Sequence, residues 1–354
     1  MPRSLQSDLA KDVNSSFLLF SLLKIACVVL PLMGMVAYAV LVERKLSAMI
    51  QDRIGPNRVG PGGIWQPVAD AIKAFLKEDL TPQHVRKVYF WLAPGISMIP
   101  ALLTVAIIPF GSNLGAQKMV IADLNVGILY TFGIVSLGVY GIVLAGYAAN
   151  SKYPFLGGIR SSAQMISYEV AMGMSVIPVF LLVGNLNLSK VIEYQTHGLL
   201  SWLFFKQPLA FFIFLVAAFA ETNRLPFDLP ESEQELVGGY NTEYSSIKFA
   251  LFFMGEYANL IAASAMMVTL FFGGWTLPWF GLDHPAAAGQ WLEGLLQIAI
   301  FVGKIVLFVV SIMWARWMLP RFRFDQLMDL GWRRFIPLAL ANIVVTAVIL
   351  WLRI

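Results

Sequence analysis

Between Glu221 and Glu243 the chain reads ETNRLPFDLPESEQELVGGYNTE, which sets Glu221, Asp228, Glu231, Glu233, Glu235 and Glu243 against Arg224 alone. An acidic stretch is ordinarily a solvated loop. Here the carboxylates are interleaved with Leu225, Pro226, Phe227, Leu229, Leu236 and Val237, which favours packing. Crowded carboxylates in a low dielectric cannot all ionise, so some would hold protons near neutral pH. That property suits proton transfer more than scaffolding.

Three further ionisable residues fall inside strongly apolar runs. Glu256 lies about nine residues into one of them, roughly 14 Å deep at the helical rise. Glu169, preceded by Tyr168, and Lys304 lie well inside two others. Such groups cost about 2.5–3.5 kcal/mol or more in hydrocarbon and usually mark an ion or substrate path. A structural pairing of Lys304 with a carboxylate is the alternative. Lys24 is nearer a run's end and is expected to snorkel.

A second loop is basic: VERKLSAMIQDRIGPNRVGPGGIWQPVADAIKAFLKED, from Val42 to Asp79. Its Gly-Pro pairs impose turns. After Pro67, the residues Val68, Ala71, Ile72, Phe75 and Leu76 share one helical face, with Asp70, Lys73, Lys77 and Glu78 opposite. The spacing predicts a short amphipathic helix at the membrane interface, either an anchor or a helix that admits a lipidic substrate.

The elements that position these residues follow from composition. Of 354 residues, 58% are hydrophobic and 13% charged, with a net charge of +4. A soluble domain is about 25% charged, so a lone water-soluble enzyme is not expected, and the charge is too small to imply nucleic-acid binding. Eight apolar stretches stand out, at 17–42, 90–110, 126–148, 163–186, 203–220, 247–273, 294–319 and 335–352. Most are long enough to cross a core of about 30 Å. The fifth is the shortest, with Lys206, Gln207 and Pro208 near its start. The runs are continuous rather than alternating, which predicts helices over a barrel.

The expected fold is thus an all-α polytopic membrane protein, one membrane domain over 1–354 with about eight transmembrane helices and one short interfacial amphipathic helix. A basic loop spans 43–89 and an acidic loop spans 221–246. Sixteen Lys and Arg lie in the odd loops and six on the other side, three of them at the termini. This predicts odd loops in the cytoplasm and both termini outside. The first run is too long for a signal-peptide core, so cleavage is not expected.

Cys27 is the sole cysteine, and His84, His197 and His284 are far apart. An internal disulfide is excluded, and no iron–sulfur, zinc or haem constellation is visible. There is no G-x-G-x-x-G opening a helix and no P-loop.

At these residues the chain resembles the H-type membrane subunits of bacterial NADH:quinone oxidoreductase, respiratory complex I. The likeness covers nearly the whole chain. It is carried by Glu43-Arg44-Lys45, Gln51 to Gly60, Gln66 to Asp70, Asn150 to Val170, Glu221 to Leu229, Leu251 to Tyr257 and Leu319 to Met328. The resemblance implies an inner-membrane subunit that forms much of a quinone chamber and begins a buried acidic path toward antiporter-like subunits. It implies quinone-site roles for Arg44, Arg53, Asp70, Lys73 and Arg224. It implies proton-coupling roles for Glu169, Glu221, Asp228, Glu231, Glu233, Glu235, Glu243 and Glu256. Quinone is then a substrate, while flavin and iron–sulfur clusters belong to partner subunits of the complex. Two positions depart from the family's habit: Ser232 and Gln234 separate the three glutamates, where Gly and Ser are frequent, and Phe324 stands where Tyr is common.

Two other readings stay open at this level. One is a stand-alone secondary transporter using Glu169, Glu256 and Lys304 at the midplane. The other is the homologous subunit of a membrane-bound hydrogenase or a related complex with another electron donor.

Overall fold

A computed structural model describes residues 15–114, 117–229, 236–287 and 290–353. The chain runs through α1 (Ser15–Ile50), α2 (Gln66–Leu76), α3 (Lys87–Thr104), α4 (Gly127–Ala148), α5 (Lys152–Val183), α6 (Leu188–Tyr194) and α7 (Leu203–Lys206). It continues with α8 (Pro208–Glu221), α9 (Ser246–Phe271), α10 (Trp291–Met318), α11 (Phe324–Asp329) and α12 (Ile336–Trp351). A π-helical turn at Leu330–Phe335 joins α11 to α12. Apart from the two-residue strands β1 (Asn113–Leu114) and β2 (Gln117–Lys118), the described fold is helical. Among the described residues, seven helices are long and apolar enough to cross a membrane: α1, α3, α4, α5, α9, α10 and the continuous α11–α12 unit. The protein is an all-α polytopic membrane protein.

The expected stretch 203–220 differs from the rest. It breaks at Gln207, whose non-helical backbone precedes Pro208, because a residue before proline is pushed out of the helical region. Two α12 side chains hold that break: the Gln207 amide donates to Thr346 Oγ1 at 3.0 Å and accepts from Asn342 Nδ2 at 3.1 Å. What remains, α8, has 14 residues, roughly 21 Å at the helical rise. That is short of a hydrocarbon core of about 30 Å. The helix therefore stops inside the bundle, and Glu221, Thr222, Asn223 and Arg224 stay buried at its end.

Two other boundaries move. No Gly or Pro interrupts residues 43–50, so α1 runs through Glu43-Arg44-Lys45 to Ile50, where a loop was expected, and turns at Asp52 with φ 49°. Helix α5 begins at Lys152 rather than near 163; Pro154 falls in its first turn, which tolerates proline.

The basic loop, the acidic loop and the connections α4–α5 and α10–α11 gather at one end. Arg86 N–H donates to the Ala148 carbonyl at 2.9 Å, and the Phe322 N–H to that of Pro226 at 3.2 Å. Ser246 Oγ contacts the carbonyl oxygens of Ala74 and Lys77, each at 2.9 Å, and ties the start of α9 to the end of α2. At the opposite end Lys24 reaches the β1–β2 hairpin through Gln117 Oε1 and the Lys118 carbonyl.

Small residues set the closest approaches. A Cβ on Gly141 of α4 would lie 2.6 Å from the Ser97 nitrogen of α3. One on Gly157 of α5 would lie 2.9 Å from the backbone of Gly239 and Tyr240, so the return of the acidic loop beds directly on α5.

Candidate functional site

Glu43 is the hub of the charged end. Its carboxylate accepts from Arg224 NH1 at 2.5 Å, from the Tyr257 hydroxyl at 2.7 Å, and from Arg316. Four elements meet here: α1, the exit of α8, α9 and the last turn of α10. Glu43 is 5% exposed and Arg224 7%, and the Arg224 guanidinium stacks 4.0 Å over the Tyr257 ring. Burial opposes the charge on Arg224, yet Tyr257 and Glu43 beside it hold its proton above the ordinary arginine value. Charge-assisted bonds of this kind are about twice as strong as neutral ones. One helical step from Tyr257, Glu256 accepts from the Tyr240 hydroxyl at 3.1 Å.

A second carboxylate site has no guanidinium among the described residues. Glu169 of α5 accepts from Ser136 of α4. Glu221, at the buried end of α8, lies near enough to feel the charge of Glu169. It lines a cavity of about 30 Å³ with Thr104, Thr131, Thr222 and Asn259. The three threonine hydroxyls donate to backbone carbonyls of their own helices. Their remaining lone pairs and the Asn259 amide are polar points in an otherwise apolar lining that includes Phe132, Met172, Phe214 and Met266.

The amphipathic helix α2 is present as expected, though none of its residues is buried. Phe75 and Leu76 are 72% and 81% exposed, so its apolar face is uncovered within this chain. Its polar face is held to α1 by Arg44 and Asp70 at 2.7 Å, with Lys73 4.0 Å from the same carboxylate. Beyond α2, buried Lys248 of α9 pairs with Asp79 at 3.1 Å and sits 3.9 Å over Trp91.

The expected quinone-site set thus divides. Arg44, Asp70 and Lys73 come together; Arg53, in the turn after α1, bonds to Gln51 at 2.7 Å; Arg224 turns inward to Glu43. The acidic loop divides as well, instead of forming one crowd against Arg224. Asp228 pairs with Arg321 at 3.0 Å, and Glu243 lies 3.8 Å from His84. Glu231, Glu233 and Glu235 lie outside the described residues. Among the described residues Lys304 meets no carboxylate: its ammonium donates to the carbonyls of Phe272, Gly274 and Thr276 at 2.7–2.9 Å, just past the end of α9. It shares no site with Glu169 or Glu256.

The sequence profile described as NADH dehydrogenase matches residues 23–347. The chain belongs to the NADH dehydrogenase family. Among its relatives, an H-type subunit of the NADH-quinone oxidoreductase of Cytophaga hutchinsonii is 48% identical, covering 87% of this chain and 90% of that protein. NADH-quinone oxidoreductase subunit 8 of Rhodothermus marinus is 51% identical over 86% and 89%. An H-type subunit from Koribacter versatilis is 46% identical over 95% and 98%. The resemblance to the H-type subunits drawn from the motif blocks is thereby borne out.

Within this NADH dehydrogenase family member, four residues of the site escaped the motif reading of individual roles: Glu43, Tyr257, Arg316 and Tyr240. A signal for Glu43 existed. Leu32, Val36, Ala39, Glu43 and Ser47 are all buried and fall three or four residues apart on one face of α1, the spacing of an inward stripe. Tyr240 and Arg316 carry no such mark; their partners are set by the packing of other elements.

Proposed function

We propose that the chain serves as a membrane subunit of a proton-pumping NADH–quinone oxidoreductase, walling part of its quinone chamber and coupling quinone reduction to proton movement. In this reading it sits in the bacterial inner membrane with both termini outside and the arginine-rich end toward the cytoplasm. Flavin and iron–sulfur clusters reside in partner subunits, which deliver the electrons. The observation that carries the proposal is a set of ionisable side chains among apolar helices: buried Glu43 and Arg224 with half-buried Glu256 on one side, buried Glu221 with half-buried Glu169 on the other.

The chemistry follows from quinone itself. Its reduction to quinol takes up two electrons and two protons, and charge appears on the ring before the protons arrive. A ring entering beside α2 meets Arg44, Arg53 and Lys73, while Asp70 holds Arg44 in place. The change in charge is felt at Arg224 and Glu43, and through Tyr257 and Glu256 along α9. Carboxyls in a low dielectric answer a nearby charge by binding or releasing protons. Glu221, with the small cavity it lines, and Glu169 extend that response deeper into the bundle.

The test is a Glu221→Gln, Glu256→Gln double variant in the assembled complex, reconstituted in vesicles. NADH oxidation by a hydrophilic acceptor is expected to stay at the wild-type rate, while quinone turnover and proton uptake fall at least tenfold and below either single variant. Wild-type turnover and proton yield in the assembled double variant would sink the coupling role.

A further inference from the structure

A groove on the outside of the bundle has no part in the path above. It lies between α8, α10 and the π-helical turn, with a volume of about 510 Å³. Phe212, Phe219, Phe308, Ala315, Phe322 and Phe335 are among its walls, and Ser311 is the one lining residue with a polar side chain. That hydroxyl donates to the Leu307 carbonyl at 2.8 Å, so the groove offers apolar surface throughout. Its depth is informative. From Phe308 to Met318, α10 rises roughly 15 Å, half of a hydrocarbon core of about 30 Å. The groove is one leaflet deep.

Its mouth is cationic. Leu319, Phe322, Leu330 and Phe335 line the groove, and Arg321, Arg323, Arg333 and Arg334 are interleaved with them in the chain. Arg321 is engaged by Asp228. Arg323 and Arg333 make exposed pairs with Asp325 and Asp329, at 3.0 and 3.1 Å. Arg334 is exposed and has no hydrogen-bond or ion-pair partner among the described residues. It follows Leu330 by four residues, on the same side of the turn. Trp314, Trp317 and Trp332 are exposed at this level, as tryptophans are at a membrane–water boundary.

We propose that the groove binds one anionic phospholipid of the leaflet at the arginine-rich end, an acyl chain lying along α10 and the phosphate resting on Arg334 and Arg333. Basic pockets between transmembrane helices hold acidic headgroups in this way. Two other occupants fit less well. An isoprenoid tail carries no charge for Arg334 to meet. A transmembrane helix of a partner, 10–12 Å across, would run the length of α10 rather than end at Phe308. The proposal does not depend on the quinone reading.

The experiment extracts the chain, in the assembly it occupies, from native membranes in mild detergent. Retained lipids are then counted by mass spectrometry through successive delipidating washes. Arg334→Gln is expected to weaken retention of one phosphatidylglycerol or cardiolipin about fivefold, and Arg333→Gln with Arg334→Gln further, at about the worth of one surface arginine each. Phosphatidylethanolamine retention stays constant. Ala315→Phe, which fills the groove, removes the same anionic molecule without changing subunit content. Unchanged anionic lipid in the arginine variants overturns the proposal. So does an Ala315→Phe variant that sheds a neighbouring subunit, or bound quinone, in place of the lipid.

Discussion

Glu43 and Glu221 are buried in the same bundle and Glu169 is half-buried there, yet different surroundings meet their charges. Around Glu43 stand two guanidiniums and a phenol, contributed by three elements. Glu169 has a serine beside it, and Glu221, near enough to feel its charge, has threonines and an asparagine among mostly apolar side chains. A carboxylate bonded to two arginines has its charge neutralised locally and is a fixed part of the frame. Glu169 and Glu221 have no such neutralising partner among the described residues. On the proposed reading, the first site mainly holds helices in place while relaying charge, and the second is the one suited to exchanging protons.

The largest expected effect breaks the first site. Glu43→Ala leaves Arg224 buried and Arg316 half-buried, facing each other with no anion between them. Removing one partner of a buried ion pair typically costs about 3–5 kcal/mol, a large fraction of a domain's net stability. The amount of chain in membranes and the thermal midpoint of the extracted assembly are both expected to fall sharply. Wild-type levels of both would mean that Glu43 is not what neutralises Arg224.

The same comparison explains what was legible in the sequence. Glu169, Glu221 and Glu256 stand out because each is an acid within or at the end of an apolar run. Lys206-Gln207-Pro208 marks the break that shortens α8. Glu43 is harder to see: it follows a span whose apparent end is only a drop in hydropathy, and its burial is visible only in the stripe from Leu32 to Ser47. The partners that disperse the acidic loop, Arg321 for Asp228 and His84 for Glu243, are more than ninety residues away in the chain. Charge counted loop by loop cannot find them. Lys304 is harder still, because its three acceptors are backbone carbonyls, which every residue possesses.

A smaller effect on stability, with a large one on function, is expected at the second site. In Glu169→Gln the amide oxygen still accepts from Ser136, and no buried cation is orphaned, so the assembly should stay within about 1 kcal/mol of wild type, as for a single neutral hydrogen bond. Quinone turnover with coupled proton uptake should nevertheless drop, because an amide exchanges no proton. A thermal loss as large as that of Glu43→Ala would erase the distinction between frame and relay.

The smallest effect belongs to the opposite end of the molecule, where a carboxylate has partners but little burial to amplify them. Asp123, ahead of α4, accepts from Asn187 Nδ2 at 2.7 Å, Ser189 Oγ at 3.2 Å and Lys118 Nζ at 3.1 Å. Burial alone would raise its proton affinity, but the Asn187 bond and then Lys118 outweigh it and hold the carboxyl below the ordinary aspartate value. A folded-state value below the unfolded one stabilises the fold above the unfolded value of about 3.9 and loses that contribution as pH falls through the folded one. Asp123→Asn should therefore lower the thermal midpoint at pH 7 by an amount worth less than about 1 kcal/mol, the range of surface pairs. Lowering the pH into the carboxylate range should bring wild type and variant together, and added salt should do the same in part. A gap that stays constant from pH 7 to pH 3 would show that Asp123 acts through the shape of its hydrogen bonds rather than through its charge. This end would then differ from Glu43 in the kind of interaction, not only in its strength.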